Sequence, residues 1–228
     1  MSRLLALFAS VLALSFAPGA FAAEAWKQGI HYFLVTPNQQ TNVAAGKVEV
    51  LEVFSYGCPA CNSFLPTMQK LKAALPANAQ IVYLPASFIP AEDWPMFQRA
   101  FFAAQALGLV DRTHEAVFDA VWKTGELSIY DPATRRLKNP LPSIDDAASF
   151  YARHAGVKRE EFLNVARSFS VDTKMSAADR QIIVSKADRT PTIIVNGKYR
   201  LHAESAGGET QLIDLVKWLV AKESGKAP

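Results

Sequence analysis

The stretch EVLEVFSYGCPACNSFLPTM, Glu49–Met68, holds both cysteines of the 228-residue chain. In the run that leads into it, Val48, Val50, Glu52 and Phe54 alternate with Glu49, Leu51 and Val53, the period of a β-strand. Apolar residues fall on both faces, which predicts a strand covered on both sides, as in a parallel or mixed central sheet. After Cys58 the period changes: Phe64, Leu65, Met68, Leu71 and Leu75 recur with helical spacing. Pro59 suits the first helical turn, where its missing N–H costs nothing. Pro66 lies deeper and is expected to kink the helix, since an interior proline costs about 3 kcal/mol in a straight one. Cys58 and Cys61 therefore stand at a strand-to-helix turn. Such a pair can be a redox couple, half of a metal site or a structural staple.

The N-terminal segment bears on that choice. Residues 1–22 read as a secretory signal peptide: Arg3, an apolar run from Leu4 to Ala17, a Pro18-Gly19 break, and Ala20-Phe21-Ala22 before cleavage. The run is shorter than the roughly 20 apolar residues that span a bilayer. The mature protein is expected outside the cytoplasm, in an oxidising compartment such as the periplasm, in which a close thiol pair can persist as a disulfide. Half of the residues are apolar, a fifth are charged, and the net charge of +3 gives no reason to expect nucleic acid as a partner.

A bridge between residues 58 and 61 closes a very short loop and adds little by chain entropy, which weakens the staple reading. A structural zinc site needs four ligands, and there is no second C-x-x-C; His31, His114, His154 and His202 show no ligand spacing. No metal and no cofactor are expected. Redox chemistry fits the placement better. At a helix N-terminus, unpaired N–H groups and the helix dipole stabilise a thiolate, and a thiol pKa of about 8.5 can fall to between roughly 3.5 and 7.5. Cys58 is expected to be the exposed sulfur and Cys61, one turn on, to point inward. Ala60 adds neither charge nor hydrogen bond, which predicts a thiolate short of the extreme. Glu52, six residues before Cys58 on the strand, is a candidate buried acid that relays protons to Cys61.

Elsewhere, AQIVYLPASF reads as a second strand, and Pro90 to about Lys186 is helical. Ser143 with Asp145-Asp146 marks a helix start and Gly156 a helix stop. The intervening DPATRRLKNPLPS is a loop whose Arg135, Arg136 and Lys138 read as solvated surface. Phe101, Phe102, Phe118 and Trp122 have the spacing of a helical core. RTPTIIVNGKYRLH reads as a hairpin around Asn196-Gly197, preceded by the Thr190-Pro191 loop, and an amphipathic helix ends the chain. The division that follows is an α/β domain from residues 23–88 and 187–228, interrupted by a helical domain at 89–186.

VLEVFSYGCPACNSF early and TPTIIVNGKY late together resemble the DsbA-type thiol:disulfide interchange proteins over nearly all of the mature chain. The resemblance implies a thioredoxin-like fold with an inserted all-helical domain. It implies Cys58 as the nucleophile, Cys61 as its buried partner, Glu52 as the buried acid, and Pro59 and Ala60 as the dipeptide between the sulfurs. It implies a cis-proline loop at Thr190-Pro191 that pairs with the substrate backbone. The activity it implies is donation of the disulfide to newly exported proteins by a monomer, with reoxidation by a DsbB-like membrane quinone reductase.

This chain departs from the family pattern in places. Strongly oxidising members often carry histidine where Ala60 stands, and well-studied ones have valine in place of Thr190. Leu65 and Tyr83 occupy positions where some members carry an acid and a lysine. Thr190 favours the competing reading, a reductase or isomerase. The arm before Lys47 is too short for a dimerisation domain of the isomerase kind. Phe88, Tyr56 and the residues near Pro191 are expected to line a shallow apolar groove for clients.

Overall fold

The structure, a computed structural model, describes residues 26–225. The expected signal peptide lies outside the described residues. Strand β2 (Val48–Phe54) is buried along its whole length, as its two-faced apolar pattern predicts. It pairs in parallel with β3 (Ala79–Pro85), from Val48 opposite Ala79 to Phe54 opposite Pro85. On its other side it runs antiparallel to β4 (Thr192–Val195), with Glu52 opposite Ile193. Strand β5 (Tyr199–Leu201) pairs with β4, and the short β1 (Phe33–Leu34) with β5. The five-stranded sheet has the order β1-β5-β4-β2-β3.

Helix α1 (Pro59–Ala74) makes the crossover from β2 to β3 and continues through Pro66 as one element. Pro66 is exposed, so water can satisfy the carbonyl that its missing N–H leaves free. Phe64, Met68 and Leu71 of α1 join Val48 and Val50 of β2 in one core. Helix α8 (Glu209–Glu223) adds Leu212, Leu215 and Leu219 to it. Leu51 and Val53 face a second core, built with the helices inserted between β3 and β4.

These are α2 (Trp94–Ala106), α3 (Val110–Trp122), α4 (Ile144–Ala155), α5 (Arg159–Ala166) and α6 (Phe169–Ser185). A four-residue α7 (Ala203–Ala206) follows β5. Phe101, Phe102 and Phe118 are buried in the insertion core, and Trp122 is half-buried at its edge. The start and stop of α4 fall where the sequence places them. Ser143 and Asp146 form a reciprocal capping box, and Gly156 closes the helix at φ 67°.

The hairpin turn between β4 and β5 needs positive φ at both central residues, and Asn196 (52°) and Gly197 (65°) supply it. The N-terminal arm crosses this turn, with Gln39 N–H donating to the Gly197 carbonyl at 2.9 Å. A Cβ on Gly197 would collide with the Gln39 carbonyl oxygen, so both space and backbone conformation require glycine. Gly197→Ala is expected to cost about 1–3 kcal/mol, read as a lower urea midpoint. An unchanged midpoint would mean that the arm is not held on the turn.

Candidate active site at the strand-to-helix turn

Between β2 and α1 the chain turns through Ser55, Tyr56 and Gly57. Ser55 organises the turn: its carbonyl accepts the Cys58 N–H at 3.1 Å and its hydroxyl accepts the Gly57 N–H at 3.2 Å. Two tryptophans of the insertion brace it. Trp122 Nε1–H donates to the Tyr56 carbonyl at 2.8 Å. Trp94, the first residue of α2, packs so closely on Gly57 that an added Cβ would be 2.8 Å from its Nε1.

Cys58 is the N-cap of α1, with extended backbone (φ −88°, ψ 117°). Its sulfur accepts the Cys61 N–H at 3.3 Å, the place a serine or aspartate oxygen takes in an ordinary cap. Both cysteines are free thiols here. Cys58 is 5% exposed and Cys61 1%. Cys58 is thus less open than its position at a turn predicts. The loop before β4 lies against it, and the Cys58 thiol donates to the Thr190 carbonyl at 3.6 Å. Pro59 and Ala60 are exposed beside it. Thr190 and Pro191 are half-buried, and the bond between them is cis.

The two sulfurs lie in opposite electrostatic settings. The Cys58 thiol is lowered from 9.0 to about 6, first by a hydrogen bond from Cys61, then by the Thr190 hydroxyl and the N–H groups of Cys61 and Ala60, against a burial penalty. The Cys61 thiol is pushed well up, first by burial and then by its neighbours Cys58 and Glu52. Near neutral pH the reduced pair therefore carries one thiolate, on Cys58. A disulfide that breaks to a stabilised thiolate is a good oxidant.

Glu52 is 3% exposed. Burial, and next the charge on Cys58, raise its carboxyl from 4.5 to about 8. Its cross-strand neighbour on β3 is Tyr83. That phenol is also pushed up, first by burial and then by Glu52. A tyrosine there offers Glu52 no opposing charge, so the acid keeps its proton.

Sequence reading assigns His114 no ligand role and leaves open whether it is core or surface, and it misplaces Tyr56. Tyr56 is 1% exposed and lines no groove, because α2 and α3 cover it. Its hydroxyl bonds His114 Nδ1 at 3.0 Å, and the imidazole stacks on Tyr83 with ring centroids 4.1 Å apart. Burial, then the charge of Lys72, lowers His114 to about 3, so it is neutral. The signal was present: His114 shares the apolar spacing of Val117, Phe118 and Val121 on α3. Phe88 stays 39% exposed beside Ile89, stacked on Trp94. No cluster of three or more metal-ligating side chains occurs among the described residues.

A strand-to-helix turn with one acidic thiol, one buried thiol and a cis-proline loop against them defines a thioredoxin-like thiol-disulfide oxidoreductase. The comparisons agree. The Thioredoxin family model matches residues 43–214. The thiol:disulfide interchange protein DsbA of Pseudomonas aeruginosa is 34% identical over 182 residues, 80% of this chain and 79% of that one. The DsbA of Pseudomonas syringae pv. tomato is 33% identical over 100% of this chain and 98% of its own. The crystal structure of Pseudomonas aeruginosa DsbA superimposes with a TM-score of 0.74 at 32% identity, covering 89% of this chain and 97% of that one. The chain belongs to the DsbA family of thiol:disulfide interchange proteins.

Two measurements test these electrostatics. Folded, Glu52 holds its proton up to about pH 8; unfolded, it releases it near pH 4.5. The raised value thus favours folding fully below pH 4.5, and that advantage drains away as pH climbs to 8. At pH 7 the loss is roughly 3 kcal/mol as an order of magnitude. In the reduced protein, Glu52→Gln is therefore expected to raise stability at pH 7 relative to its effect at pH 4, by up to that amount. Equal effects at the two pH values would place an ionised Glu52 in the fold. Thr190→Val removes a hydroxyl that holds the Cys58 thiol down, so the thiolate absorbance titration should move to higher pH. No movement would mean that the hydroxyl does not reach the sulfur.

Proposed function

We propose that this protein is a periplasmic thiol oxidase that donates a Cys58–Cys61 disulfide to reduced, newly exported proteins. The observation that carries this reading is the asymmetry of the pair: an N-cap sulfur held near pKa 6 beside a buried thiol pushed well up. A client thiolate attacks Cys58, the S–S bond breaks, and the electron pair leaves on Cys61. Glu52, protonated at neutral pH, gives its proton to that sulfur. A second client thiolate then attacks the client sulfur of the mixed disulfide, and Cys58 leaves as the thiolate its cap stabilises. Two electrons pass to the protein and the client gains one disulfide.

In this reading the Thr190-Pro191 loop, whose carbonyl accepts from Cys58 in the free protein, holds the client backbone as an added strand. Reoxidation falls to a membrane quinone reductase of the DsbB kind, and the protein acts as a monomer. Thr190, which read as a mark of a reductase, supports the oxidase instead. Its hydroxyl lowers the Cys58 thiol and so stabilises the reduced state.

Equilibration with glutathione is expected to give a potential between about −180 and −120 mV. The lower end reflects Ala60, which brings no side-chain donor to the thiolate. A value near about −270 mV would make the protein a reductant. Cys61→Ser should accumulate a mixed disulfide with a reduced client through Cys58, whereas Cys58→Ser should not. Trapping by Cys58→Ser would reverse the roles of the two sulfurs.

A further inference from the structure

The loop that the sequence marks as solvated surface takes a fixed shape next to the reactive turn. Residues 129–138 form a small antiparallel hairpin. Tyr130 bridges to Leu137, Asp131 N–H donates to the Arg136 carbonyl at 2.8 Å, and Lys138 N–H donates to the Ile129 carbonyl at 2.8 Å. The Asp131 carboxylate closes its tip, accepting from Ala133 N–H, Thr134 N–H and the Thr134 hydroxyl. With the end of α3, this hairpin walls an open groove of about 870 Å³ whose near end is Pro59, the residue after Cys58. Trp122 and Tyr130 form an aromatic wall, their ring centroids 6.3 Å apart, and Trp122 is itself bonded to the reactive turn.

The charges of this groove are lopsided. Lys123, Arg135 and Lys138 line it, against Asp131 alone. Lys123 is engaged by Asp119 at 2.7 Å. Arg135 and Lys138 make no ion pair among the described residues, and Lys138 is steadied by the Gly125 carbonyl at 3.4 Å. Asp131 and Asp146 both feel the charge of Lys138, and each nearby acid has hydrogen-bond or ion-pair partners of its own. Asp131 is turned into its own hairpin, Glu92 accepts from Tyr130 and Trp94, and Glu126 is held by Arg153 and His154. Lys138, anchored on Gly125, and the exposed Arg135 thus stand on one wall of an open space that reaches Pro59.

We propose that this groove reads the sequence around the client cysteine, seating an acidic residue of an extended client segment against Arg135 and Lys138. The client is bonded to Cys58, so the chain that leaves the sulfur across Pro59 enters the groove within a few residues, at about 3.3 Å each. The aromatic wall takes its apolar part, and the two cations meet a carboxylate. The inference rests on Cys58 being the sulfur that bonds the client. It does not depend on whether electrons flow to or from that client.

The test uses full-length protein carrying Cys61→Ser and short peptides whose single cysteine is a mixed disulfide with thionitrobenzoate. The cysteine is flanked on either side by Glu, Gln or Lys. Capture at Cys58 is read as release of the thionitrobenzoate anion. At low salt the Glu peptides should be captured about five- to tenfold faster than the Lys peptides, the size expected for two partly screened charge pairs. The preference should fade with added salt. In Arg135→Glu/Lys138→Glu, it should invert. Equal rates for all peptides at low salt, or a preference that survives the charge reversal in protein with an unchanged melting temperature, would overturn the groove assignment. Failure of every peptide to form the mixed disulfide would remove Cys58 as the client sulfur, and the groove proposal with it.

Discussion

Four N–H groups at the start of a helix have no partner within it, and at the head of α1 the sulfur of Cys58 takes one of them. This single contact ties the architecture to the chemistry. As a cap it helps to begin a helix that has no acidic residue in its first turn. As a donor aimed at sulfur it favours the thiolate over the thiol. The same helix carries Cys61 one turn further on, in the dry interior, where ionisation is opposed. The difference between the two sulfurs therefore follows from the direction of one helix, and the potential of their bond follows from that difference.

A helix end can do this only if the turn before it is held still. Ser55 bonds the turn from within, and the insertion braces it from outside through Trp94 against Gly57 and Trp122 on the Tyr56 carbonyl. The helical insertion is thus more than a lid. It fixes the backbone that aims the cap, and its Trp122 also forms a wall of the groove beside Pro59. Beneath the turn lies a layer of polar groups that stay neutral. Glu52 keeps its proton, while His114 accepts none. Burial drives both, in the direction that removes charge from the interior. A proton held close to Cys61 is useful to a leaving thiolate, and a neutral histidine shaped to Tyr56 and Tyr83 packs as an aromatic.

Departures of this chain from the wider family alter the site in different directions. Ala60 brings no side-chain donor to the thiolate, but Thr190 contributes a hydroxyl where valine would offer none. Tyr83 leaves Glu52 without a charged partner in the neighbouring strand. What favours the Cys58 thiolate is first the second thiol, then the Thr190 hydroxyl, with the backbone N–H groups of Cys61 and Ala60 behind them.

Much of this was legible in order along the chain. The two-faced apolar run of β2, the change to helical spacing after Cys58, the Asn196-Gly197 turn and the cap signals of α4 are local patterns, set by periods and backbone preferences that need no distant partner. The placement of two cysteines at a strand-to-helix turn was equally visible. Other features depend on contacts between residues far apart in sequence. Cys58 is shielded because a carbonyl 132 residues away lies against it. Tyr56 is buried because α2 and α3 close over it, and no local pattern reports that. Arg135 and Lys138 read as ordinary solvated charge until folding sets their hairpin beside Pro59. Periodicity states which face of an element is dry; which residues meet across the dry space is decided only when the elements pack.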